Sequence, residues 1–331
     1  MKICIVGAGA IGGWIGTRLA VCGHAVSAYA RGATLEALRR EGWRLREGGQ
    51  LLQAAATAAA EDARQLGVQD AVVIALKAPS LPPLAPALHR LIGPDTIIVT
   101  AMNGVPWWFF DGLEGQPPLH LDSVDPGARL RGLLPARQVL GCVVHATCST
   151  PEPGLVQHGF GRGLILGEAV GEPSKRAHAF VQTLKDAGFD ATPSARIQRD
   201  IWYKLWGNMT MNPVSALTGA SSDRILDEPL IYAMCLRAMA EAAAIGARIG
   251  CPIEQSGEDR MAVTRKLGAF RTSMLQDLEA GKPLEIDALL GAVHEIGLQV
   301  GVPTPVVDGL LGLTRLLGAT RRLYAPTLAA A

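Results

Sequence analysis

An α/β fold followed by an all-helical part is predicted from three observations: a glycine-rich turn between a β-like run and a helix at the start, alternation of short β-like runs with helical patterns up to residue 193, and long apolar-periodic stretches from residue 194 onward. At 331 residues the chain exceeds one comfortable core, so two domains are expected, 1–193 and 194–331. Charged residues make up 18% and the formal net charge is +1, so no global field draws the chain to nucleic acid or to an anionic membrane. Any anion has to be met by local groups.

In chain order the reading begins with a strand at Lys2–Val6, the glycine turn, a helix to about Cys22 and a second strand at Ala25–Tyr29, which make a βαβ unit. Further strands are expected at 71–76, 96–100 and 139–148, followed by a glycine-rich stretch, "GLVQHGFGRGLILGE", that reads as hairpin strands. The parallel sheet is therefore expected to continue into an antiparallel edge. Residues 54–60 are alanine-rich and ambiguous, and 79–86 form a proline-studded loop into a short helix. Helices are then expected near 199–217, 228–250, 254–280, 284–300 and 304–320, with Pro or Gly at the joints.

Cys4, Cys22, Cys142, Cys148, Cys235 and Cys251 form no CxxC pair, and no His stands at zinc-finger spacing, so reduced, mostly buried thiols and no metal site are expected. The start, "MKICIVGAGAIGGW", has a lysine before apolar residues, but its glycines recur at turn positions and no small-x-small cleavage site follows. The apolar stretch 289–317 is interrupted by His294, Glu295, Pro303, Pro305, Asp308 and Arg315. No run approaches the ~18–20 clean apolar residues of a membrane span, and a cytosolic location is the expectation. The apolar helical half makes a homodimer reasonable.

The turn "IVGAGAIGGWIG" carries Gly7, Gly9 and Gly12 in G-x-G-x-x-G spacing directly after a strand and opening a helix. The first glycine permits the tight turn, the second lets a pyrophosphate approach the backbone, and the third lets helix and strand lie close. The backbone from Gly7 through Ala8, Gly9, Ala10 and Ile11 to Gly12 is thus the candidate phosphate cradle of a Rossmann-type dinucleotide-binding domain. An Asp or Glu ending the second strand would bind the ribose 2′-hydroxyl of NAD and repel a 2′-phosphate. Here "AVSAYARGATLEAL" has no acid at the strand end but has Arg31, whose forked donors match a phosphate. NADP is therefore preferred over NAD, although an arginine here could also be a plain surface residue. Lys77 in "VVIALKAPSL" and Asn103 in "IIVTAMNGVPWW" each stand just past a strand, where α/β sheets bind ligands, or else serve as ordinary loop residues.

In "IWYKLWGNMTMNPVSAL", Lys204, Asn208 and Asn212 recur every four residues, which at ~100° per residue places them within about 80° of one helix face. Trp202, Leu205, Trp206 and Met209 around them indicate a largely buried helix. A lysine there has its charged form disfavoured and becomes a candidate general acid. The amides can bind hydroxyl and carboxylate oxygens without competing for the proton. A lysine snorkelling from a core helix, with amides satisfying buried backbone, is the alternative. Asn212 precedes Pro213, which predicts a helix end or kink. In "RTSMLQDLEAGKPLEIDALLGAV", Ser273, Asp277, Glu285 and Asp287 are polar, and Gly281-Lys282-Pro283 separates two helices. Ser273 and Glu285 either face one cleft or serve as cap and surface residues.

Together these residues resemble the ketopantoate reductase (2-dehydropantoate 2-reductase) family over nearly the whole chain, in four blocks: "IVGAGAIGGWIG", "LKAPS" with "MNG", "YKLWGNMTMNPVSAL" and "SMLQDLEAGKPLEID". The resemblance implies NADPH-dependent reduction of the 2-oxo acid 2-dehydropantoate (ketopantoate) to pantoate, in pantothenate and coenzyme A biosynthesis. It implies that Lys204 is the proton donor and that Glu285 is a carboxylate near the nicotinamide and the lysine. Asn208 and Asn212 would be substrate-binding amides, and Ser273 would contact the substrate carboxylate. Asn103 would lie between cofactor and substrate, Lys77 on the cofactor side and Arg31 on the 2′-phosphate. Ala146, in "VVHATCS", falls where backbone meets cofactor in the family. Two departures bear on the substrate. The family often has an Asn-Gly pair where this chain has Ser221-Ser222-Asp223, leaving Ser222 as a shorter substrate-binding replacement. "WWFF" at 107–110 is bulkier than usual, and 112–135 reads as an extended loop. These keep open a reductase of another 2-oxo or 3-oxo acid. A non-catalytic NADP-binding sensor, from a different class, would keep the glycine turn but not need Lys204, Ser273 and Glu285.

Overall fold

The computed structural model describes residues 1–113 and 119–325. The chain divides into two compact units, one of Met1–Met102 with Arg129–Ile197 and one of Asn103–Ala128 with Gln198–Ala331. The single boundary expected at 193/194 is thus found at 197/198, and residues 103–128 join the second unit as well. The reason is apolar: Val105, Phe109, Phe110, Leu113 and Leu121 lie in the core of the helical unit.

In the first unit the elements are β1 (Lys2–Val6), α1 (Ala10–Val21), β2 (Ala25–Tyr29), α2 (Gly32–Glu41), β3 (Trp43–Glu47), β4 (Gln50–Ala54), β5 (Ala59–Ala60), β6 (Ala71–Ile74), α3 (Ala85–Leu88), β7 (Ile97–Thr100), α4 (Arg129–Leu133), β8 (Val139–Glu152), β9 (Leu155–Glu168), α5 (Lys175–Asp186) and β10 (Asp190–Pro193). The sheet order is β4-β3-β9-β8-β7-β6-β1-β2-β5, with β10 on β9. From β5 to β8 neighbouring strands are parallel, and β8–β9 and β3–β4 are antiparallel. This is the parallel sheet with an antiparallel extension that the sequence predicts. "ICIV" of β1 and "AVVI" of β6 are buried throughout, the mark of parallel strands covered on both faces.

Some elements differ from expectation. The glycine-rich 154–168 stretch is one 14-residue strand, β9, rather than a hairpin of its own. Its partner is β8, and Gly161 at φ +77° with a register shift near His145 absorbs the irregular sequence. The β3–β4 hairpin had a signal in Gly48-Gly49, both at positive φ between alternating residues. Short helical turns at Pro126–Ala128 and Arg129–Leu133 interrupt the expected 112–135 loop, part of which lies outside the described residues.

The helical unit contains α6 (Ile197–Thr218), which begins on the last residue of the first unit, α7 (Ser222–Asp227), α8 (Pro229–Arg248), α9 (Gly257–Arg265), α10 (Ser273–Glu279), a π-helical turn (Asp287–Gly291), α11 (Ala292–Val300) and α12 (Pro305–Thr320). The single helix expected over 254–280 is two helices, α9 and α10. Trp202 and Trp206 of α6 lie buried and donate their indole N–H to the Ala242 and Met239 carbonyls of α8, at 3.2 and 2.7 Å. By length and mean hydropathy, 1.4, α8 could cross a bilayer. Its Cys235, Ala238, Met239, Ala242 and Ile245 instead pack in the core, and its Glu241 carboxylate accepts the N–H groups of Val306 and Val307. The "WWFF" aromatics are core residues as well, 0–7% exposed, with Phe109 6.1 Å from the Trp202 ring.

Burial pushes the thiols of Cys4 and Cys148 up to about 12 and that of Cys235 up to about 11. The unfolded chain loses these protons above pH ~9 whereas the folded chain keeps them, so the folded state is favoured in full below pH 9 and loses that advantage as pH rises towards 11–12. Denaturant unfolding at pH 8 and pH 10.5 should show this fall, and Cys4→Ala should reduce it by about 2 kcal/mol. An identical fall in the variant would remove Cys4 as its source.

Candidate functional site

The glycine turn follows β1 because Gly7, at φ +90°, reverses the chain where an added Cβ would lie 2.5 Å from Leu76 and 2.8 Å from the Ala75 carbonyl. Gly12 lets α1 lie on that turn, since a Cβ there would come 2.1 Å from the Gly7 carbonyl. Gly9, the N-cap of α1, behaves differently: nothing stands within 4 Å of the place its Cβ would take. No side chain caps α1 and no acid occupies its first turn, so its N-terminal amides face an open approach. Ala8, Ala10 and Ile11 complete the backbone of this cradle. The donor set and the open space fit a dinucleotide pyrophosphate.

Val6 is level with Tyr29 of β2 and Ile74 of β6, and Ile74 with Thr100 of β7, so residues after these strands issue from one edge. Arg31 is exposed there, caps α2 with its backbone, and its guanidinium has no hydrogen-bond or ion-pair partner among the described residues. No acid occupies the end of β2. Lys77 is half-buried just past β6, which stops at Ile74 rather than at 76. Ala146 sits on β8, five residues beyond Gly141, the partner of Thr100, and at the register shift opposite Gly161.

In the helical unit, Lys204 donates a hydrogen bond from Nζ to Asn103 Oδ1 at 2.8 Å, although the two residues are 101 positions apart. The structure thus brings together two predicted site residues. Asn208 is half-buried and Asn212 is 6% exposed, and neither amide has a hydrogen-bond partner among the described residues. Amides with little access to water and no partner are ready to take up a ligand oxygen or a water. Of the helix end or kink predicted at Asn212–Pro213, the end is not found, since α6 runs on through the proline. Met211, Val214 and Ala216, packed in the core on both sides of the proline, keep α6 helical to Thr218.

Asn103 is held by its neighbours. Gly104 has φ +81°, and a Cβ there would come 2.4 Å from the Ala288 carbonyl, which itself accepts the Val105 N–H at 2.9 Å. Ala288 belongs to the π-helical turn that follows Glu285, a half-buried carboxylate between the buried Leu284 and Ile286. Ser273 is exposed at the start of α10. Thr272, not Ser273, caps that helix, accepting from the Leu275 N–H.

Ser222 requires a correction. It is 1% exposed, its hydroxyl donates to the Gly268 carbonyl at 2.8 Å and accepts the Phe270 N–H at 3.2 Å, so it ties α7 to the 268–270 turn instead of facing substrate. One polar group was missed from sequence. The Arg260 guanidinium rests 5.5 Å over the Tyr203 ring and against Gly207, on the flank of the Lys204 stripe, with its Nε buried and unpartnered. Gly207, a glycine inside an apolar helix, was the available signal.

An open phosphate cradle after β1 and a lysine–amide cluster on a helical unit define a dinucleotide-dependent oxidoreductase of two-part build. The chain belongs to the ketopantoate reductase family: the model "Ketopantoate reductase PanE/ApbA" matches residues 3–171, and "Ketopantoate reductase PanE/ApbA C terminal" matches residues 196–318. It is 43% identical to a 2-dehydropantoate 2-reductase of Mesorhizobium japonicum, over 98% of this chain and 100% of that one. A crystal structure from Ralstonia solanacearum MolK2, provisionally named a ketopantoate reductase, shares 59% identity with a TM-score of 0.93, covering 98% of this chain and 99% of that one. A ternary complex of D-mandelate dehydrogenase with NADH and anilino(oxo)acetate has the same fold at 21% identity, with a TM-score of 0.85 over 98% of this chain and 100% of that one.

Proposed function

We propose that this chain reduces 2-dehydropantoate to pantoate with NADPH. The observation that carries the reading is the Lys204 ammonium seated on Asn103 Oδ1 beside two amides that have no partner among the described residues. NADPH, when bound, supplies the hydride. The backbone from Gly7 to Gly12 would hold its pyrophosphate, Arg31 its 2′-phosphate, and Lys77, Ala146 and Asn103 other parts of it. Asn208 and Asn212 bind the oxygens of the oxo acid, and Ser273 meets its carboxylate. Lys204 holds a proton for the oxygen that becomes the alkoxide, which both orients the carbonyl and meets the charge as it develops. Glu285 stands by as the carboxylate of this set.

Ser222 favours a second reading. With its hydroxyl engaged by the 268–270 turn, one side chain that would recognise the distal part of pantoate is missing, and a different 2-oxo acid becomes the rival substrate. The test is NADPH oxidation with 2-dehydropantoate beside a panel of branched and aromatic 2-oxo acids. Highest kcat/KM for 2-dehydropantoate is expected; a larger value for another acid moves the assignment to it, and no oxidation with any of them points to a non-catalytic NADP-binding protein. In the same assay Arg31→Ala should raise KM for NADPH about 10–100-fold, the worth of a charge-assisted contact, and leave NADH nearly unchanged. Equal losses with both would make Arg31 structural.

A further inference from the structure

We infer that Asp287 is a positioning residue of the reductase: gripped by Arg315 and Tyr324, it holds the π-helical turn that fixes the Asn103–Gly104 turn and, through it, the acceptor of Lys204. The inference rests on the reading of Lys204 as proton donor.

Asp287 is 9% exposed, and its Oδ1 accepts from Arg315 Nη2 at 2.6 Å, from Arg315 Nε at 3.2 Å and from the Tyr324 hydroxyl at 3.1 Å. Two glycines make room for this. A Cβ on Gly291 would lie 2.9 Å from Asp287 Oδ1 and 3.3 Å from Arg315 Nη2, and one on Gly318 would lie 2.6 Å from the Tyr324 Cβ. The chain after α12 then returns along the stretch that carries Glu285, where the Leu284 N–H donates to the Leu323 carbonyl at 2.9 Å. Burial above all, with Asp287 beside it, pushes the Tyr324 hydroxyl up to about 12, so it remains a donor at working pH.

The consequence passes through backbone. Within the π-helical turn the N–H groups of Leu290 and Gly291 both reach the Ile286 carbonyl, at 2.8 and 3.3 Å. The Ala288 carbonyl accepts from Val105 of a different segment. Gly104 presses its bare Cα on that same carbonyl, and Asn103 precedes it. A shift of Ala288 therefore shifts the backbone of the Asn103–Gly104 turn, and with it the Oδ1 that meets Lys204 Nζ. The Arg315 side chain is 42% exposed, so its pairing with Asp287 contributes little to stability. Here the pair sets the position of a turn that has to be accurate.

The experiment compares Asp287→Asn, Arg315→Lys and Tyr324→Phe with the wild-type chain in kcat, KM for both substrates, NADPH affinity and the pH profile of kcat. Asp287→Asn should lower kcat about 10–10²-fold, the usual effect of misplacing a reacting group by about 1 Å. NADPH affinity should fall much less than kcat, because the phosphate cradle and Arg31 belong to the other unit and only the contact assigned to Asn103 is disturbed. The alkaline limb should move to lower pH, since an ammonium deprived of its acceptor gives up its proton more readily. Arg315→Lys should restore part of the activity lost in Arg315→Met. Should Asp287→Asn not fold, Tyr324→Phe, which keeps the ring, carries the same test with a smaller loss. In a Lys204→Ala background the further loss from Asp287→Asn should vanish. If Lys204→Ala is impaired but Asp287→Asn and Tyr324→Phe keep wild-type kcat and pH profile, the positioning role is wrong. If Lys204→Ala is itself unimpaired, the reading beneath it fails instead.

Discussion

Replacing Lys204 by alanine is expected to lower kcat by about 10²–10⁴-fold while NADPH affinity is kept, because the change removes a general acid and touches no part of the phosphate cradle. The geometry makes the loss specific. The ammonium is held at 2.8 Å by Asn103 Oδ1, an acceptor that orients it but cannot take its proton at working pH. Removing the side chain leaves the developing alkoxide without a donor at the moment charge appears. Lys204→Arg sharpens the test, since it keeps a positive charge on α6. A guanidinium holds its proton far above working pH and is planar where the ammonium is compact, so it should not rescue turnover. Stopped-flow measurement of NADPH oxidation separates the chemical step from product release. Unchanged single-turnover rates in Lys204→Ala would take the residue out of the mechanism and leave it as a snorkelling core lysine.

The parts of the site that were legible in the sequence are those set by local spacing. Gly7, Gly9 and Gly12 lie within six residues, and each does a separate steric job that the pattern specifies. Lys204, Asn208 and Asn212 share a face by helical periodicity alone. What spacing could not convey was pairing at long range. Nothing in "MNGVPWWFF" shows that Val105, Phe109 and Phe110 fill the core of the helical unit, or that Asn103 meets Lys204. Ser222 was read by position as a substrate contact, yet its partners lie 46 and 48 residues further on, and they decide its role. Asn212 shows the opposite limit. The local rule against helix before proline is real, and core packing on both sides of Pro213 outweighed it. The π-helical turn at 287–291 is of the same kind, a backbone form whose contacts include Arg315, Tyr324 and Gly104, none of them near in sequence.

Gly9→Ala and Gly12→Ala, three positions apart in one turn, should fail in different ways. At Gly9 the backbone has φ −80°, which alanine adopts without strain, and no atom stands within 4 Å of the new methyl. The folded chain should therefore keep its melting temperature. The methyl would nevertheless project into the space where the pyrophosphate approaches the amides of α1, so NADPH and NADH should both bind about 10²-fold more weakly. Gly12→Ala places its Cβ 2.1 Å from the Gly7 carbonyl, a contact with backbone that no rotamer relieves. Helix α1 must then move off β1, where Ile5 and Ala75 also lie within 3.0 and 3.1 Å of that Cβ. The cost should be about 3 kcal/mol or more of stability, with cofactor binding lost as a consequence of the displaced turn. Thermal melts with and without NADPH distinguish the two: the cofactor should raise the melting temperature of the wild-type chain and barely that of Gly9→Ala. If Gly9→Ala binds NADPH as tightly as the wild type, the phosphates do not pass over Gly9, and the open space above α1 is not the cradle assigned to it.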